Sequence, residues 1–278
     1  MLREVLKNII PKELQDKIPR SFDIVGSREK AVAIIEIPEE LKNYKLEIAK
    51  AIQKLNKNVV TVLEKVGKRE GIYRIYKYEK ILGDETEVVH KEFGYKLKVD
   101  VTKVYFSPRE ATERQRIAKE VNENEKILIL FSGIAPFAIA IAKQKNVKIF
   151  CVEINPYAVK YARENVKINK VENKVFNILG DAKYVKFRDF FDRIIMPLPL
   201  GAYDFLDVAF ENIKNGIIHL YHWGKDENEV REKIEKRLKE FDFETKILEI
   251  RKVLPYAPRI YKFQIKILVN KKENEVSF

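Results

Sequence analysis

With 278 residues, 46% hydrophobic and 35% charged, the chain is long enough for two domains with real cores, which excludes a disordered or fibrous polypeptide. No run reaches the roughly 18 apolar residues of a membrane span, the charged opening MLREVLKNIIPKEL is no secretory signal, and a lone cysteine excludes an internal disulfide or a cysteine-built zinc site. A net charge of +12 suits a polyanion partner, although a solvated basic surface is the blander explanation.

Taken in chain order, Leu2, Val5, Leu6 and Ile9 form one apolar helical stripe, ended by Pro11. Residues 31–37 read as a strand, 41–55 as an amphipathic helix and 59–63 as a second strand. The stretch 66–78 is basic with interleaved tyrosines. That composition fits both a phosphate- and base-binding surface and a solvated edge strand. Residues 86–90 and 95–101 alternate like antiparallel strands joined at Gly94, and the domain boundary is placed at 95/96. From residue 112 the pattern becomes strands alternating with helices. Helices are expected at 113–121, 137–143, 156–168, 202–213 and 227–241. Strands are expected at 126–131, 147–154, 175–179, 193–196, 216–223, 244–253 and 261–269. Such alternation implies an α/β domain with a mostly parallel sheet, helices on both faces and a ligand beyond the carboxyl ends of its strands. Cys151 falls inside an apolar strand and reads as a buried thiol, not a nucleophile. Three histidines give no basis for a metal site, and none is expected. A cytoplasmic protein follows from these exclusions.

Four expected strand ends carry residues suited to a nucleoside cofactor. After the first, Phe131-Ser-Gly133-Ile-Ala-Pro136 makes a tight turn into a helix whose free N–H groups suit a carboxylate. Glu153 and Ile154 end the second strand, where nucleotide folds place an acid for ribose hydroxyls. Asp181 and Ala182 follow the third, with the acid set to accept from an adenine amino group. Pro197-Leu-Pro199 closes the fourth. A single glycine in the first turn argues against a dinucleotide.

The blocks Val104-Tyr-Phe-Ser-Pro-Arg-Glu-Ala-Thr-Glu113-Arg114, Phe131 to Phe137, Val152-Glu-Ile-Asn-Pro156 and Tyr256-Ala-Pro-Arg259 resemble the archaeal and eukaryotic tRNA (guanine-37 N1)-methyltransferases. The resemblance covers essentially the whole chain. It implies a class I, Rossmann-like methyltransferase domain over 96–278 and a smaller α+β tRNA-positioning domain over 1–95. S-Adenosyl-L-methionine is the implied methyl donor and the tRNA anticodon loop at position 37 the acceptor, handled by a monomer with no membrane and no obligate protein partner. The extra N-terminal domain of many archaeal members is expected to be absent. Carried over residue by residue, Glu113 matches the general base for guanine N1 and Arg74 the arginine facing O6. Tyr105 and Arg109 match residues beside the site. Arg114, Phe131, Gly133, Pro136, Glu153, Ile154, Asp181, Ala182 and Pro197 match the cofactor surroundings. Without that motif, Glu113 reads as a helix N-terminal acid favoured by the dipole.

Departures from the family pattern are Ile129 for an acid, Ala135 for a second glycine, Glu153 for aspartate and Pro197 for asparagine. The proline resembles an archaeal subgroup that includes enzymes methylating the wyosine precursor, which implies a wider base range. The competing readings are aminocarboxypropyl transfer to that precursor, a non-catalytic RNA-binding module, and a small-molecule or protein methyltransferase. Tyr105 and Arg109 favour methyl transfer over the first, and Glu113, Arg74 and Asp181 favour catalysis over the second. The basic N-terminal region disfavours the third.

Overall fold

The computed structural model describes residues 2–73, 75–198 and 201–272. It divides into two compact units, Met1–Pro108 and Arg109–Phe278. In the first unit, helix α1 (Leu2–Leu6) and a 3-10 turn (Lys12–Lys17) precede strands β1 (Asp23–Gly26) and β2 (Ala31–Ile35). A 3-10 turn (Glu39–Tyr44) leads into α2 (Lys45–Leu55), then β3 (Val59–Glu70) and β4 (Ile75–Leu82). The sheet order is β1-β2-β3-β4, with β2 and β3 parallel around α2 and both edge pairs antiparallel. Ala31, Ala33 and Ile35 bury one face of β2 against Ile48, Ala49 and Ile52 of α2 and Leu2 and Leu6 of α1. That burial is what makes an α2 stripe with i, i+4 spacing pack on a period-2 strand.

Of the basic stretch 66–78, the described residues 66–73 and 75–78 belong to the β3–β4 hairpin, where the ammonium of Lys65 sits 5.0 Å from the Tyr76 ring centroid. One strand went unforeseen here, β1, with only four residues; β4 lies at the sheet edge and begins inside the stretch for which a solvated edge strand was one of two readings. Glu64 on β3 is fully buried and ion-paired with Lys42 and Lys45, whose flexible stems reach in from the α2 side.

A two-stranded hairpin, β5 (Glu87–Glu92) and β6 (Tyr95–Asp100), follows as expected. Its tip, Phe93-Gly94, has φ values of 43° and 84°, the doubly left-handed turn that matches strand twist. The Gly26 amide on β1 donates to His90 Nδ1 on β5 at 3.2 Å, so the hairpin belongs with the first unit. The unit boundary therefore falls at Pro108, downstream of the 95/96 division read from the pattern.

The second unit opens with a 3-10 turn (Pro108–Glu110) and α3 (Ala111–Glu120). There follow β7 (Lys126–Leu130), α4 (Pro136–Ala142), β8 (Lys148–Glu153), α5 (Pro156–Ile168), β9 (Val175–Leu179), β10 (Phe191–Met196), α6 (Leu206–Glu211), β11 (Ile213–Gly224), α7 (Glu227–Leu238), β12 (Phe243–Ala257) and β13 (Ile260–Lys271). These form one seven-stranded sheet of order β12-β13-β11-β10-β7-β8-β9, in which every strand runs the same way except β13, antiparallel to both its neighbours. The chain runs outward from β7 to β9 and returns to the other side of β7 with β10. The strand order thus reverses between β7 and β10.

Leu206, Phe210, Val230, Ile234 and Leu238 of α6 and α7 bury one face against Ile194, Ile218, Leu220 and Ile265. Cys151 is buried in β8, and desolvation pushes its thiol up to about 12, so it is no nucleophile at neutral pH. The helix expected over 202–213 is shorter: a 3-10 turn (Ala202–Phe205) passes into α6, and β11 already begins at Ile213. Apolar residues at 208–210 and 213 keep helical spacing, but Ile213 pairs with Phe191, and sheet pairing overrides the local period.

Candidate active site at the carboxyl ends of the sheet

The turn after β7 packs three left-handed residues into five: Phe131 (φ 57°), Gly133 (φ 56°) and Ala135 (φ 64°). Ala135 caps α4, and Pro136 is its first residue, preset in φ and without an amide to satisfy. Glu153, half-buried at the end of β8, accepts from the Gly133 amide at 2.8 Å through Oε2 and from the Asn155 amide at 2.9 Å through Oε1. Burial raises its pKa above the usual carboxylate value against those backbone donors. Asp181 follows β9, accepts from the Lys183 amide at 2.9 Å, and is half-buried beside buried Ala182. Leu179 and Tyr184 flank it with 52% and 72% of their surface exposed. An acid at the β8 end, an acid at the β9 end and exposed apolar side chains between them match a nucleoside: hydroxyl acceptors, an amino-group acceptor and a ring contact. The residues present therefore fit S-adenosylmethionine. Phe131, Gly133, Pro136, Glu153, Ile154, Asp181, Ala182 and Pro197 lie at or just beyond the adjacent ends of β10, β7, β8 and β9, as the strand-end reading places them.

Glu113 sits in the first turn of α3 and is 6% exposed. Its Oε1 accepts from Tyr221 Oη at 2.7 Å and from Arg116 Nη2 at 2.7 Å, and its Oε2 from Arg116 Nε at 2.8 Å. Burial, and then the Glu113 charge, push the Tyr221 pKa well up, so the phenol keeps its proton and donates. Desolvation works against the Arg116 guanidinium, but the hydrogen bond and charge of Glu113 more than offset it and raise its pKa. Arg116 also donates to Gln264 Oε1 at 2.8 Å and pairs with Glu120.

These contacts form a register between a helix and a strand. Glu110, Glu113, Arg116 and Glu120 recur at three- and four-residue steps, one face of a helix. Lys262, Gln264 and Lys266 recur every second residue on β13, opposite Trp223, Tyr221 and His219 of β11. Glu110 pairs with Lys262 at 2.9 Å, Arg116 with Gln264, and Glu120 with Lys266 at 2.8 Å. Lys262 is 1% exposed, lies 4.6 Å from the Tyr221 ring centroid and donates to the Pro197 carbonyl at 3.5 Å. None of Tyr221, Arg116, Lys262 or Gln264 was singled out from the sequence. The polar alternation inside the otherwise apolar strand 260–271 was the signal available.

Of the remaining expected site residues, Arg114 is 1% exposed. Arg109 is exposed in the turn before α3, and Tyr105, 44% exposed, belongs to the first unit. Arg74 lies outside the described residues. Among the described residues no cluster of three or more His, Cys, Asp or Glu side chains is placed to hold a metal. No helix there is long and apolar enough to cross a membrane.

The TRM5/TYW2 methyltransferase domain matches residues 88–248 and the TYW2 N-terminal domain residues 2–86. Trm5b of Pyrococcus abyssi, a tRNA (guanine(37)-N(1))-methyltransferase, is 43% identical over 96% of this chain and 80% of its own. The tRNA(Phe) (4-demethylwyosine(37)-C(7)) aminocarboxypropyltransferase of Pyrococcus horikoshii is 32% identical over 97% of this chain and 96% of its own. Among solved structures, the complex of aTrm5 with tRNALeu superposes with a TM-score of 0.85 at 34% identity over 97% of this chain and 78% of that one. TYW2 of M. jannaschii in complex with AdoMet gives 0.69 at 28% identity over 91% of this chain and 100% of that one. With both family models matched in order and a relative 43% identical over 96% of this chain, the chain belongs to the TRM5/TYW2 methyltransferase family.

Proposed function

We propose that the protein transfers a methyl group from S-adenosyl-L-methionine to N1 of guanosine 37 in tRNA. The observation that carries this reading is Glu113: an acid in the first turn of α3, held by Tyr221 from β11 and by Arg116, in a chain 43% identical to a guanine-37 N1-methyltransferase. Guanine N1 carries a proton at neutral pH and becomes nucleophilic only when that proton leaves. Glu113 removes it, a contribution of about 10²–10⁴-fold. The resemblance assigns to Arg74 the stabilisation of the enolate-like charge that develops on O6, and Tyr105 and Arg109 match the motif residues of the base site. Glu153 and Asp181 hold the ribose and adenine of the donor, and Arg114 matches a further cofactor-binding position of the family. The donor supplies an electrophilic methyl on a sulfonium, which needs only in-line positioning. The anticodon loop at position 37 is the acceptor, the first domain, roughly residues 1–95, positions the tRNA, and the protein works in the cytoplasm as a monomer.

Pro197 in place of an amide supports a wider base range that includes C7 methylation of 4-demethylwyosine at the same position. A second reading has its own support. The matched N-terminal domain is that of TYW2, and a relative covered over 96% of its length is named for aminocarboxypropyl transfer. One experiment separates them: labelled S-adenosylmethionine with a tRNA transcript carrying guanosine 37, then nuclease digestion and mass spectrometry, repeated on tRNA bearing 4-demethylwyosine. 1-Methylguanosine at position 37 supports the main reading. Addition of an aminocarboxypropyl group to the wyosine precursor, with no methyl transfer to guanosine, overturns it.

Glu113→Ala is expected to lower turnover by about 10²-fold or more, with cofactor and tRNA affinity nearly unchanged. A collapse of affinity or of the folded state would instead make Glu113 a structural acid.

A further inference from the structure

We propose that Tyr221 and Arg116 are positioning residues that leave Oε2 of Glu113 as the oxygen taking the substrate proton. The proposal rests on Glu113 acting as the general base. A carboxylate oxygen offers two lone-pair directions. On Oε1 both are engaged, by Tyr221 Oη at 2.7 Å and Arg116 Nη2 at 2.7 Å. Oε2 accepts only from Arg116 Nε, at 2.8 Å, among the described residues. One acceptor direction is therefore left on the whole carboxylate, and it lies on Oε2.

The holders are themselves held. Arg116 is fixed by Glu120 and by Gln264 Oε1 at 2.8 Å, with Glu249 of β12 at 3.6 Å. The Tyr221 ring is fully buried, with the Lys262 ammonium 4.6 Å from its centroid and the Phe137 ring at 6.1 Å. Rotation of the Glu113 carboxylate would break three charge-assisted or phenolic hydrogen bonds at once. Neither partner competes for the proton: the Tyr221 and Arg116 pKa values both lie above their ordinary values, so each remains a donor. In the reaction the N1–H bond breaks and an O–H bond forms on Oε2. The electron pair left on N1 takes the methyl group, and the thioether departs with the sulfonium's bonding pair.

The charges facing Glu113 come from every element around it. They are Arg116 on α3 and Glu110 in the turn before it, Tyr221 and His219 on β11, Lys262 and Lys266 on β13 (paired with Glu110 and Glu120), and Glu249 on β12. Tyr221→Phe removes one donor to the charged carboxylate and nothing else in that set.

The test compares the full-length wild type, Tyr221→Phe and Arg116→Lys on guanosine-37 tRNA, measuring kcat, both KM values, the pH–rate profile and thermal unfolding. In Tyr221→Phe, kcat is expected to fall about tenfold or more, since a hydrogen bond to a charged group is lost. Both KM values stay near wild type. The acid limb of the profile moves to higher pH, because the charged form has lost a donor. Arg116→Lys, which keeps the charge and loses the two-pronged grip, also loses kcat with KM kept. An unchanged kcat and acid limb in a folded Tyr221→Phe enzyme would overturn the proposal. If Tyr221→Phe does not fold, Arg116→Lys decides by the same split. A wild type that makes no 1-methylguanosine overturns the base assignment itself and is distinguished by failing before any substitution is made.

Discussion

Ala135 illustrates how one backbone angle carries a cost that sequence alone shows only as a departure. Its φ of 64° lies in the left-handed region, where a Cβ is disfavoured by about 1–2 kcal/mol. Glycine there relieves that strain but loses unfolded-state restriction worth about 0.4–1 kcal/mol. Ala135→Gly is therefore expected to stabilise the protein by a few tenths to about 1 kcal/mol, a small rise in Tm that calorimetry would detect. A lower Tm would mean that the alanine methyl, 1% exposed, contributes more packing than strain. Glu113 was legible as a candidate base only through the motif around it. The residues that aim it, Tyr221 and Arg116, were not, because they meet it across 108 and 3 positions of sequence and only the fold brings the first of them near.

The docking of α3 on β13 depends on two periods meeting. A helix repeats a face every three to four residues and a strand every two, so Glu110, Arg116 and Glu120 reach Lys262, Gln264 and Lys266 in order. Alternation in 244–253 and 261–269 gave both strands, and the glycine turn and capping proline gave α4 within two residues. The α6–β11 junction was misread because Ile213 continues the helical spacing while its backbone pairs with Phe191. Three residues on, Gly216 lies against a register shift between Phe191 and Arg193, and an added Cβ would come 2.2 Å from the Asp192 carbonyl oxygen. Gly216→Ala is expected to cost about 1–3 kcal/mol, the usual range for overpacking. Denaturant unfolding checks it, and a loss under half a kilocalorie would show that the β10–β11 pair can shift.

Buried charge ties the core of the second unit to pH. Arg193 donates to both oxygens of Glu125 at 2.6 and 2.8 Å and lies 2.6 Å from His219 Nε2; arginine only donates, so that nitrogen accepts. Burial first, then the charges of Arg193, Lys266 and Arg116, hold the His219 pKa well below 6.5. Burial of Glu125 works to raise its pKa, but the Arg193 and Asn122 hydrogen bonds win and lower it below 4.5. The linkage signs agree. As pH falls below about 6.5 the unfolded His219 takes up a proton that the folded one refuses, and stability declines. Below about 4.5 Glu125 adds to the loss as it protonates toward its folded value. Stability should therefore fall between pH 7 and 5, and His219→Gln should flatten that slope in pH-resolved thermal unfolding. An equal slope in the variant would assign the acid sensitivity elsewhere, with His222, lowered to about 4 chiefly by burial, the next group to examine.

Local pattern determined a great deal of this protein: the α/β alternation, the strand ends bearing Gly133, Glu153 and Asp181, the hairpin at Phe93-Gly94 and the family itself. These are short-range or motif features, set by period, turn chemistry and residues close in sequence. Tertiary structure alone decided the strand order, with its reversal between β7 and β10, the assignment of hairpin β5–β6 to the first unit, and the shortening of α6. It also decided which groups surround Glu113. Strand neighbours, buried ion pairs and hydrogen bonds between residues a hundred positions apart are settled by which faces can be buried together, and no window along the chain contains that competition.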